Sequence, residues 1–301
     1  MWAVLTACIP KSPEATEPSG PTVRVIKGPW EAAESLTMGA TGPRASGSSA
    51  LPTIIVAAWV AEGELWTATS LDSGRGWTPP MRIDQDVDAS WRPRVALALG
   101  RPVIAYTAGG RLKTAERTAE GWIPVEVGPS APFDLVVQDW EPSLAWNDGG
   151  VIVWDGVAVG EGACPDSAPA LSSEGLLAWR TEAGVVLDGS LEERGGGCVS
   201  EPPVFDGEVL MLTVEGVLHR GDEVLPPVLE GRLVEQPRAA GGATAWVEVH
   251  EGEQRAVLQG TGLLTHTSIL LGDPVQVSGE VWLPFIAGQP VVAAWSPPPI
   301  P

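Results

Sequence analysis

The segment Arg94-Val-Ala-Leu-Ala-Leu99-Gly-Arg-Pro102-Val-Ile-Ala-Tyr-Thr107-Ala-Gly-Gly110 contains two apolar stretches separated by turn residues. It continues into Arg111–Glu116, where polar residues alternate with small or apolar ones, and ends with Trp122–Val127. Continuous apolar runs are typical of strands covered on both faces, whereas alternation is typical of half-exposed strands. The segment therefore predicts a four-stranded antiparallel unit with an apolar inner pair and an amphipathic outer pair.

The same order of features recurs along the chain: a proline, a short strand, a glycine turn, and an apolar strand that ends near Ala-Trp. Successive copies begin 27 to 49 residues apart. The seven copies are Pro52 to Trp59, Pro93 to Tyr106, Pro142 to Trp154, Pro169 to Trp179, Pro203 to Thr213, Pro237 to Trp246 and Pro284 to Trp295. Because repeats of roughly this length indicate stacked units, we expect one architecture along the whole chain.

A single four-stranded sheet cannot bury both of its faces, so such units are expected to stack around an axis as the blades of an all-β propeller. Seven copies predict seven blades, and six is the alternative if the short copy after Pro142 is degenerate. The last copy has only two strands of its own. We expect Thr22–Ile26 and Trp30–Leu36 to complete the last blade and close the ring.

Composition narrows the classes of partner. The chain has 301 residues, 18 Lys and Arg, and 38 Asp and Glu, which gives a net charge of −20. This charge argues against nucleic acid or anionic lipid as a ligand. No apolar run reaches about 18 residues, so no membrane-spanning helix is predicted. Gly 36 and Pro 29 disfavour long helices.

The N-terminal residues indicate export. Leu5-Thr-Ala-Cys8 resembles a bacterial lipobox, in which the cysteine is lipidated, although only seven residues precede Cys8 and none is basic. Residues 9–21 are rich in proline and predict a disordered tether. We therefore divide the chain into a lipobox-like start and tether, residues 1–21, and a propeller domain, residues 22–301. An ordinary N-terminal tail is the alternative.

The two remaining cysteines, Cys164 and Cys198, each lie five residues before a repeat proline. In an exported protein they are expected to form a disulfide between neighbouring units; two free buried thiols are the alternative. No cofactor is expected. The three histidines are scattered without ligand spacing, so no metal site is predicted. Asp84, Asp86 and Asp88 alternate oxygen ligands, but they lack the glycine and distal glutamate of a calcium loop.

One turn carries a family resemblance. Ser70-Leu-Asp72-Ser-Gly74-Arg-Gly-Trp77 matches the pattern Ser-x-Asp-x-Gly-x-x-Trp and resembles the Asp-box (BNR) repeats of the sialidase-like propellers. The resemblance implies a structural turn between the third and fourth strands of a blade. It also implies sialidase chemistry, which uses three arginines, a tyrosine nucleophile with a glutamate partner, and an aspartate.

The chain departs from that chemistry. Tyr106, its one tyrosine, occupies the repeat position that is tryptophan in five of the other copies, so we expect it to pack between blades. The family's Arg-Ile-Pro signature is absent. The arginines placed to project near the axis are Arg92, Arg94, Arg180 and Arg238, but no spacing singles out three.

A ligand is expected on the loops that lead into the inner strands, where three Trp-x-Pro sequences occur. Tryptophan faces beside carboxylates suit a carbohydrate or a cation. The candidate residues are Trp91, Arg92, Asp139, Trp140, Glu141 and Trp282. The alternative is that these tryptophans wedge between blades and the carboxylates form a solvated rim.

These observations favour a monomeric, lipid-anchored propeller of the bacterial cell envelope, on either side of the outer membrane. We expect it to act without catalysis as a binding or scaffold module for a protein or glycan. It would touch the membrane only through Cys8. The alternative is a sialidase-like glycoside hydrolase or glycan-binding protein that uses the tryptophan- and acid-rich loops.

Overall fold

The computed structural model describes most of the chain after residue 21. The described ranges are 22–41, 53–193, 197–199, 201–206, 208–213, 215–225, 227, 233–240, 243–258, 261–266, 269–278 and 280–296. This part of the chain forms 29 β-strands and contains no α-helix. Accordingly, no described segment is a helix of the length and hydropathy needed to cross a membrane.

The strands form seven antiparallel sheets, which we number as blades 1 to 7 in chain order. Blade 1 contains β2 (Ser35–Ala40), β3 (Ile55–Ala61), β4 (Glu64–Ser70) and β5 (Met81–Gln85). Blade 2 contains β6 (Arg94–Ala98), β7 (Arg101–Ala108), β8 (Arg111–Thr118) and β9 (Gly121–Pro129). Blade 3 contains β10 (Phe133–Gln138), β11 (Glu141–Asp148), β12 (Val151–Trp154) and β13 (Val157–Glu161).

The second half of the ring has the same order. Blade 4 contains β14 (Ala170–Leu171), β15 (Leu177–Arg180), β16 (Val185–Leu187) and β17 (Ser190–Glu192). Blade 5 contains β18 (Val204–Asp206), β19 (Glu208–Leu212), β20 (Leu218–Arg220) and β21 (Glu223–Leu225). Blade 6 contains β22 (Leu233–Ala240), β23 (Ala243–His250), β24 (Glu253–Leu258) and β25 (Thr261–His266).

Blade 7 closes the ring with both ends of the chain. Its inner strand is split into β26 (Leu270–Leu271) and β27 (Val275–Val277), followed by β28 (Glu280–Ala287) and β29 (Gln289–Ser296). The outer strand is β1 (Thr22–Ile26), which pairs antiparallel with β29 from Thr22 opposite Ser296 to Ile26 opposite Val292. Seven blades and closure by an N-terminal strand are therefore confirmed.

The expectation for the second N-terminal segment is wrong. Trp30–Leu36 does not join blade 7; instead Ser35 begins β2, the inner strand of blade 1. The cause is that blade 7 already has three strands from the C-terminal part of the chain and needs only one more. Trp30 is buried between blades 7 and 1.

Two repeat copies are shifted by one strand. Pro142 and Trp154 lie in the second and third strands of blade 3, and Pro284 and Trp295 lie in those of blade 7. The prolines at or beside the inner strands are buried and recur every 34 to 39 residues, at Pro93, Pro132, Pro169, Pro203, Pro237 and Pro274. Six blades bury a tryptophan or tyrosine on the second strand: Trp59, Tyr106, Trp146, Trp179, Trp246 and Trp282.

The core is divided among the blade interfaces. Seven clusters of buried apolar residues are found in the described chain, one between each pair of neighbouring blades. The cluster between blades 7 and 1 includes Ile26 of β1 and Trp282 of β28. Because each sheet buries both faces against its neighbours, closure of the ring is needed to cover the last two faces.

The strand order gives the ring two different faces. Each inner strand starts at the upper face, which carries the loops between blades and the turns from second to third strands. The lower face carries the turns from first to second and from third to fourth strands. Thr22 lies at the lower face, because it pairs with the end of the third strand of blade 7.

A disulfide joins Cys164 and Cys198, with their Cα atoms 5.4 Å apart. Cys164 lies in the loop before blade 4 and Cys198 in the loop after it, so the predicted pairing brackets the blade with the shortest strands. The cysteines line an open groove of about 620 Å³ with Gly149, Glu161 and Thr181 of blades 3 and 4.

Candidate functional site

Five charged side chains meet near the axis, close to the upper face. Arg94 and Asp134 lie on inner strands β6 and β10, Arg238 lies on β22, and the other two are in loops, Arg92 before β6 and Asp273 between β26 and β27. We call this set the channel cluster. Its five members come from blades 2, 3, 6 and 7 and from the loop between blades 1 and 2.

Three members occupy the same position of the repeat. Arg94 pairs with Ala105, Asp134 with Ala145 and Arg238 with Ala245, and each alanine directly precedes the buried aromatic of its blade. Alternation along a strand sends equivalent residues to the same side of each sheet. Each of the three therefore points toward the following blade, where the inner strands converge on the axis.

Arg94 is held by two carboxylates. Its Nη1 donates to Asp273 Oδ2 in a short contact, and its Nε lies 3.5 Å from Asp134 Oδ1. Asp134 also accepts hydrogen bonds from the amides of Leu135 and Leu171, at 3.0 and 2.9 Å. Leu171 belongs to blade 4, so this network connects blades 2, 3, 4 and 7.

Arg238 is more loosely held. Its Nε lies 3.9 Å from Asp273 Oδ1, and its Nη1 donates to the carbonyl of Pro237 at 2.7 Å. Its side chain is 8% exposed, and Nε has no hydrogen-bond partner among the described residues. The Nη1 of Arg92 is likewise buried without a partner there.

Within the cluster, three guanidinium groups face two aspartates, and Glu201 outside the cluster also acts on Arg238. Burial lowers the pKa of Arg92 well below its usual value; repulsion from Arg238 adds to this effect and Asp273 opposes it. Burial also lowers the pKa of Arg238, to about 10. For Arg94, by contrast, Asp273 and Asp134 outweigh burial and raise the pKa. Arg92 is therefore the cation with the poorest compensation.

The aspartates are affected in opposite directions. Burial raises the pKa of Asp134, although Arg94 acts against it. Burial would also raise the pKa of Asp273, but Arg94, Arg238 and Arg92 together lower it to about 2. Asp273 is thus the main counterion of the cluster, and it is shared by three cations. Such a site has the chemistry to accept one further negative charge.

Tyr106 does not face the channel cluster. It is fully buried in the apolar cluster between blades 1 and 2, as its position in the repeat predicts. Its hydroxyl donates to Asp84 Oδ2 at 2.9 Å, and Lys113 Nζ donates to the same oxygen at 2.9 Å. Burial and then Asp84 raise the pKa of Tyr106, which opposes formation of a phenolate.

The tryptophans expected on one loop face are separated by the structure. Trp91 lies in the loop before β6 and packs on the cluster between blades 2 and 3. Trp140 forms the turn from β10 to β11 on the lower face, where it is 70% exposed with Asp139 and Glu141 beside it. Trp282 is fully buried in β28. Binding by these residues stays a prediction, but they do not form one site.

The Ser70–Trp77 turn lies between the third and fourth strands of blade 1. Asp72 Oδ1 accepts from the amide of Gly76 and from the Ser70 hydroxyl, both at 2.8 Å, and the Gly76 bond is the largest cause of its lowered pKa. Trp77 stacks edge-to-face with Trp30 at 4.9 Å. These contacts give the turn a structural role.

The described residues contain no group of three or more His, Cys, Asp or Glu side chains arranged to hold a metal ion. Asp84, the first residue of the alternating acidic stretch, accepts hydrogen bonds from Tyr106 and Lys113. Sequence reasoning also missed Asp134 and Asp273. The available signal was a charged residue within two positions of an inner-strand proline, as at Pro93, Pro132, Pro237 and Pro274.

Comparisons with known proteins find the fold and nothing narrower. No family model matches the chain, and no curated protein matches its sequence. Among solved structures, BBS1N in complex with ARL6DN is 13% identical, with a TM-score of 0.51 over 90% of this chain and 95% of that one. The β-propeller domain of the Trilobed protease from Pyrococcus furiosus is 10% identical, with a TM-score of 0.44 over 87% and 94%. Apo AztD from Citrobacter koseri is 14% identical, with a TM-score of 0.42 over 88% and 99%.

Proposed function

We propose that the protein is an exported, non-catalytic β-propeller that binds an anionic group of a glycan or protein partner at its channel cluster. The observation that carries the proposal is that Arg92 Nη1 is buried with no hydrogen-bond partner among the described residues, in a cluster where three arginines share two aspartates. A buried donor without an acceptor is costly, and a charge-assisted hydrogen bond to an oxyanion would remove that cost.

The expected ligand group is a carboxylate, a sulfate or a phosphate ester. Arg92 and Arg238 offer the donors, because Arg94 is already occupied by two aspartates. Because the net charge is −20, the protein as a whole repels anions, and only the local cationic site can bind one. A single anionic group on an otherwise neutral ligand therefore fits better than a polyanion.

Calorimetric titration of the full chain tests this proposal. Sulfate and a hexuronic acid should bind, whereas a neutral hexose should not. Arg92→Gln should weaken sulfate binding by about ten-fold or more. Arg82→Gln is the matched control, since Arg82 is an exposed arginine paired with Glu64 on blade 1. Equal sulfate affinity in the Arg92→Gln protein would overturn the proposed site.

Export and anchoring at Cys8 form the second part of the proposal. Cys8 lies outside the described residues, so support comes from the lipobox resemblance and from the Cys164–Cys198 disulfide, which suits an oxidising compartment. Metabolic labelling with a fatty-acid probe in a bacterial host should mark the protein and should be lost in Cys8→Ala. An unlabelled, freely soluble protein would defeat the anchor and leave the channel site untouched.

A glycoside hydrolase of the sialidase-like class is the second candidate, favoured by the convergence of Arg92, Arg94 and Arg238. The position of Tyr106 counts against it, since its hydroxyl is bonded to Asp84 between blades 1 and 2. Release of an acidic sugar from a glycoside, abolished in Arg92→Gln, would establish catalysis. Binding without release would favour the non-catalytic function.

A further inference from the structure

The lower face carries two large apolar residues in an unusual backbone conformation. Eleven described residues other than glycine have φ between 46° and 69°, and nine of these are polar. The two apolar ones are Leu99 and Trp140, with φ of 52° and 69°. Large side chains disfavour this left-handed region, where Asn, Asp and Gly are the usual residues. Both positions therefore give up stability that a simpler turn would keep.

These two residues occupy matching places in the ring. Leu99 lies in the turn from β6 to β7, and Trp140 in the turn from β10 to β11, so they belong to the inner hairpins of neighbouring blades. Leu99 is 62% exposed and Trp140 is 70% exposed. Two adjacent turns thus hold a large apolar side chain in solvent at a cost to the backbone, which points to a contact with another molecule.

Acidic groups surround Trp140. Asp139 and Glu141 flank it in the chain and are exposed, and neither is paired with a cation in the part of the chain that the structure describes. The first turn of blade 4 adds the exposed Glu174 nearby, because its neighbour Gly175 lies against the side chain of Gln138.

We infer that Leu99 and Trp140 form a docking surface for a basic segment of another protein. A guanidinium or ammonium group would lie on the Trp140 ring, with Asp139 and Glu141 as counterions, while an adjacent apolar residue would contact Leu99. Charge decides against a second copy of this chain, because two molecules of charge −20 repel each other. An anionic lipid surface is disfavoured for the same reason. The surface is on the face opposite the upper-face loops and does not depend on the channel cluster.

A labelled nonapeptide of alternating arginine and leucine, titrated into the full chain at physiological ionic strength, tests the inference by fluorescence anisotropy. Trp140→Ala should weaken binding by about ten-fold, and Asp139→Asn with Glu141→Gln by about five-fold. Asp188→Asn with Glu192→Gln removes the same charge from exposed positions of blade 4 and should change the affinity by less than about two-fold. Arg92→Gln should bind the peptide normally.

Two substitutions in the turns distinguish a loss of peptide binding from a loss of stability. Trp140→Gly and Leu99→Asn place favoured residues in the left-handed positions, the latter giving Asn-Gly, so both should raise the melting temperature while lowering peptide affinity. If all variants bind the peptide equally, the interaction is diffuse attraction to an acidic surface and the inference is wrong. Absence of peptide binding by the unaltered protein, or loss of stability in both exchanges, would also overturn it.

Discussion

Arg94 of blade 2 donates a hydrogen bond to Asp273 of blade 7, although blade 1 lies between them in the ring. A contact between blades that are not neighbours is possible only near the axis. The closing blade is therefore tied to the ring in two places, at its outer edge by β1 and in the channel by Asp273.

Asp273→Asn should strongly destabilise the fold, because it removes the counterion that the three arginines of the channel cluster share. Loss of one partner of a buried ion pair costs about 3–5 kcal/mol. Urea unfolding gives the free energy of unfolding directly. Glu126→Gln breaks the exposed pair with Arg111 and should cost less than about 1 kcal/mol. Similar small effects in both variants would contradict the role of Asp273.

Asp273 should also make stability sensitive to acid. Burial acts to raise its pKa, but the three arginines lower it to about 2, below the value of an unfolded chain. A lowered folded pKa stabilises the protein above about pH 4, and this contribution of about 2 kcal/mol is lost as the pH falls toward about 2.

Thermal unfolding between pH 2 and 7 should show this loss, and Asp273→Asn should flatten the profile. Asp134 has a raised pKa, so its protonation acts in the opposite direction. The difference between the two proteins therefore isolates Asp273. Parallel pH profiles for the variant and the unaltered protein would show that Asp273 is not the titrating group.

The Ser70–Trp77 turn should tolerate no side chain at Gly74. A Cβ there would lie 2.0 Å from Cη2 of Trp282, and φ is +84°. Gly74→Ala should cost about 2–4 kcal/mol from strain and overpacking. Gly63 is the matched control, since its φ is +74° with no atom within 4 Å of a new Cβ. Gly63→Ala should cost about 1 kcal/mol. If the two substitutions destabilise the protein equally, the contact with Trp282 does not explain the cost at Gly74.

The disulfide should matter most for blade 4, where the strands are two to four residues long. Replacing Cys164 and Cys198 by serine should cost about 3–4 kcal/mol, as expected for a loop of this length. Amide exchange should then accelerate in blade 4 before blade 2. Non-reducing mass spectrometry of protein from its native compartment should show the cross-link, and two free thiols would refute it.

Tyr106→Phe tests whether the tyrosine is structural. Loss of the hydrogen bond to Asp84 should cost about 1–2 kcal/mol, while Lys113 keeps its contact with the carboxylate. Sulfate affinity should not change, because Tyr106 lies between blades and away from the channel. Loss of sulfate binding in a folded Tyr106→Phe protein would contradict this placement.

Local patterns in the sequence predict blades well but assign strands less well. The unit from Arg94 to Val127 folds as expected, within the bounds of β6 to β9. The copies at Pro142 and Pro284 are shifted, because their second and third strands are also apolar and carry a proline and a tryptophan. The prolines at the inner strands recur at nearly even intervals. The interval between them therefore assigns the first strand of each blade better than the Pro-to-Trp motif does.

The channel cluster is harder to predict from sequence. Arg94 and Asp273 are 179 residues apart and meet only because the ring closes. Periodicity shows that both lie near an inner strand, but it does not show which side chains cross the axis. The pairing of Cys164 with Cys198 is predictable, in contrast, because both cysteines keep the same offset from a repeat proline.

A crystal structure of the full chain grown with selenate would show directly whether the channel cluster binds an anion. We expect an anomalous peak within hydrogen-bond distance of Arg92 Nη1 and Arg238 Nε, with the contacts of Arg94 to Asp134 and Asp273 retained. An intact cluster without selenate at these two atoms, at a concentration that saturates binding in solution, would contradict the channel as the anion site.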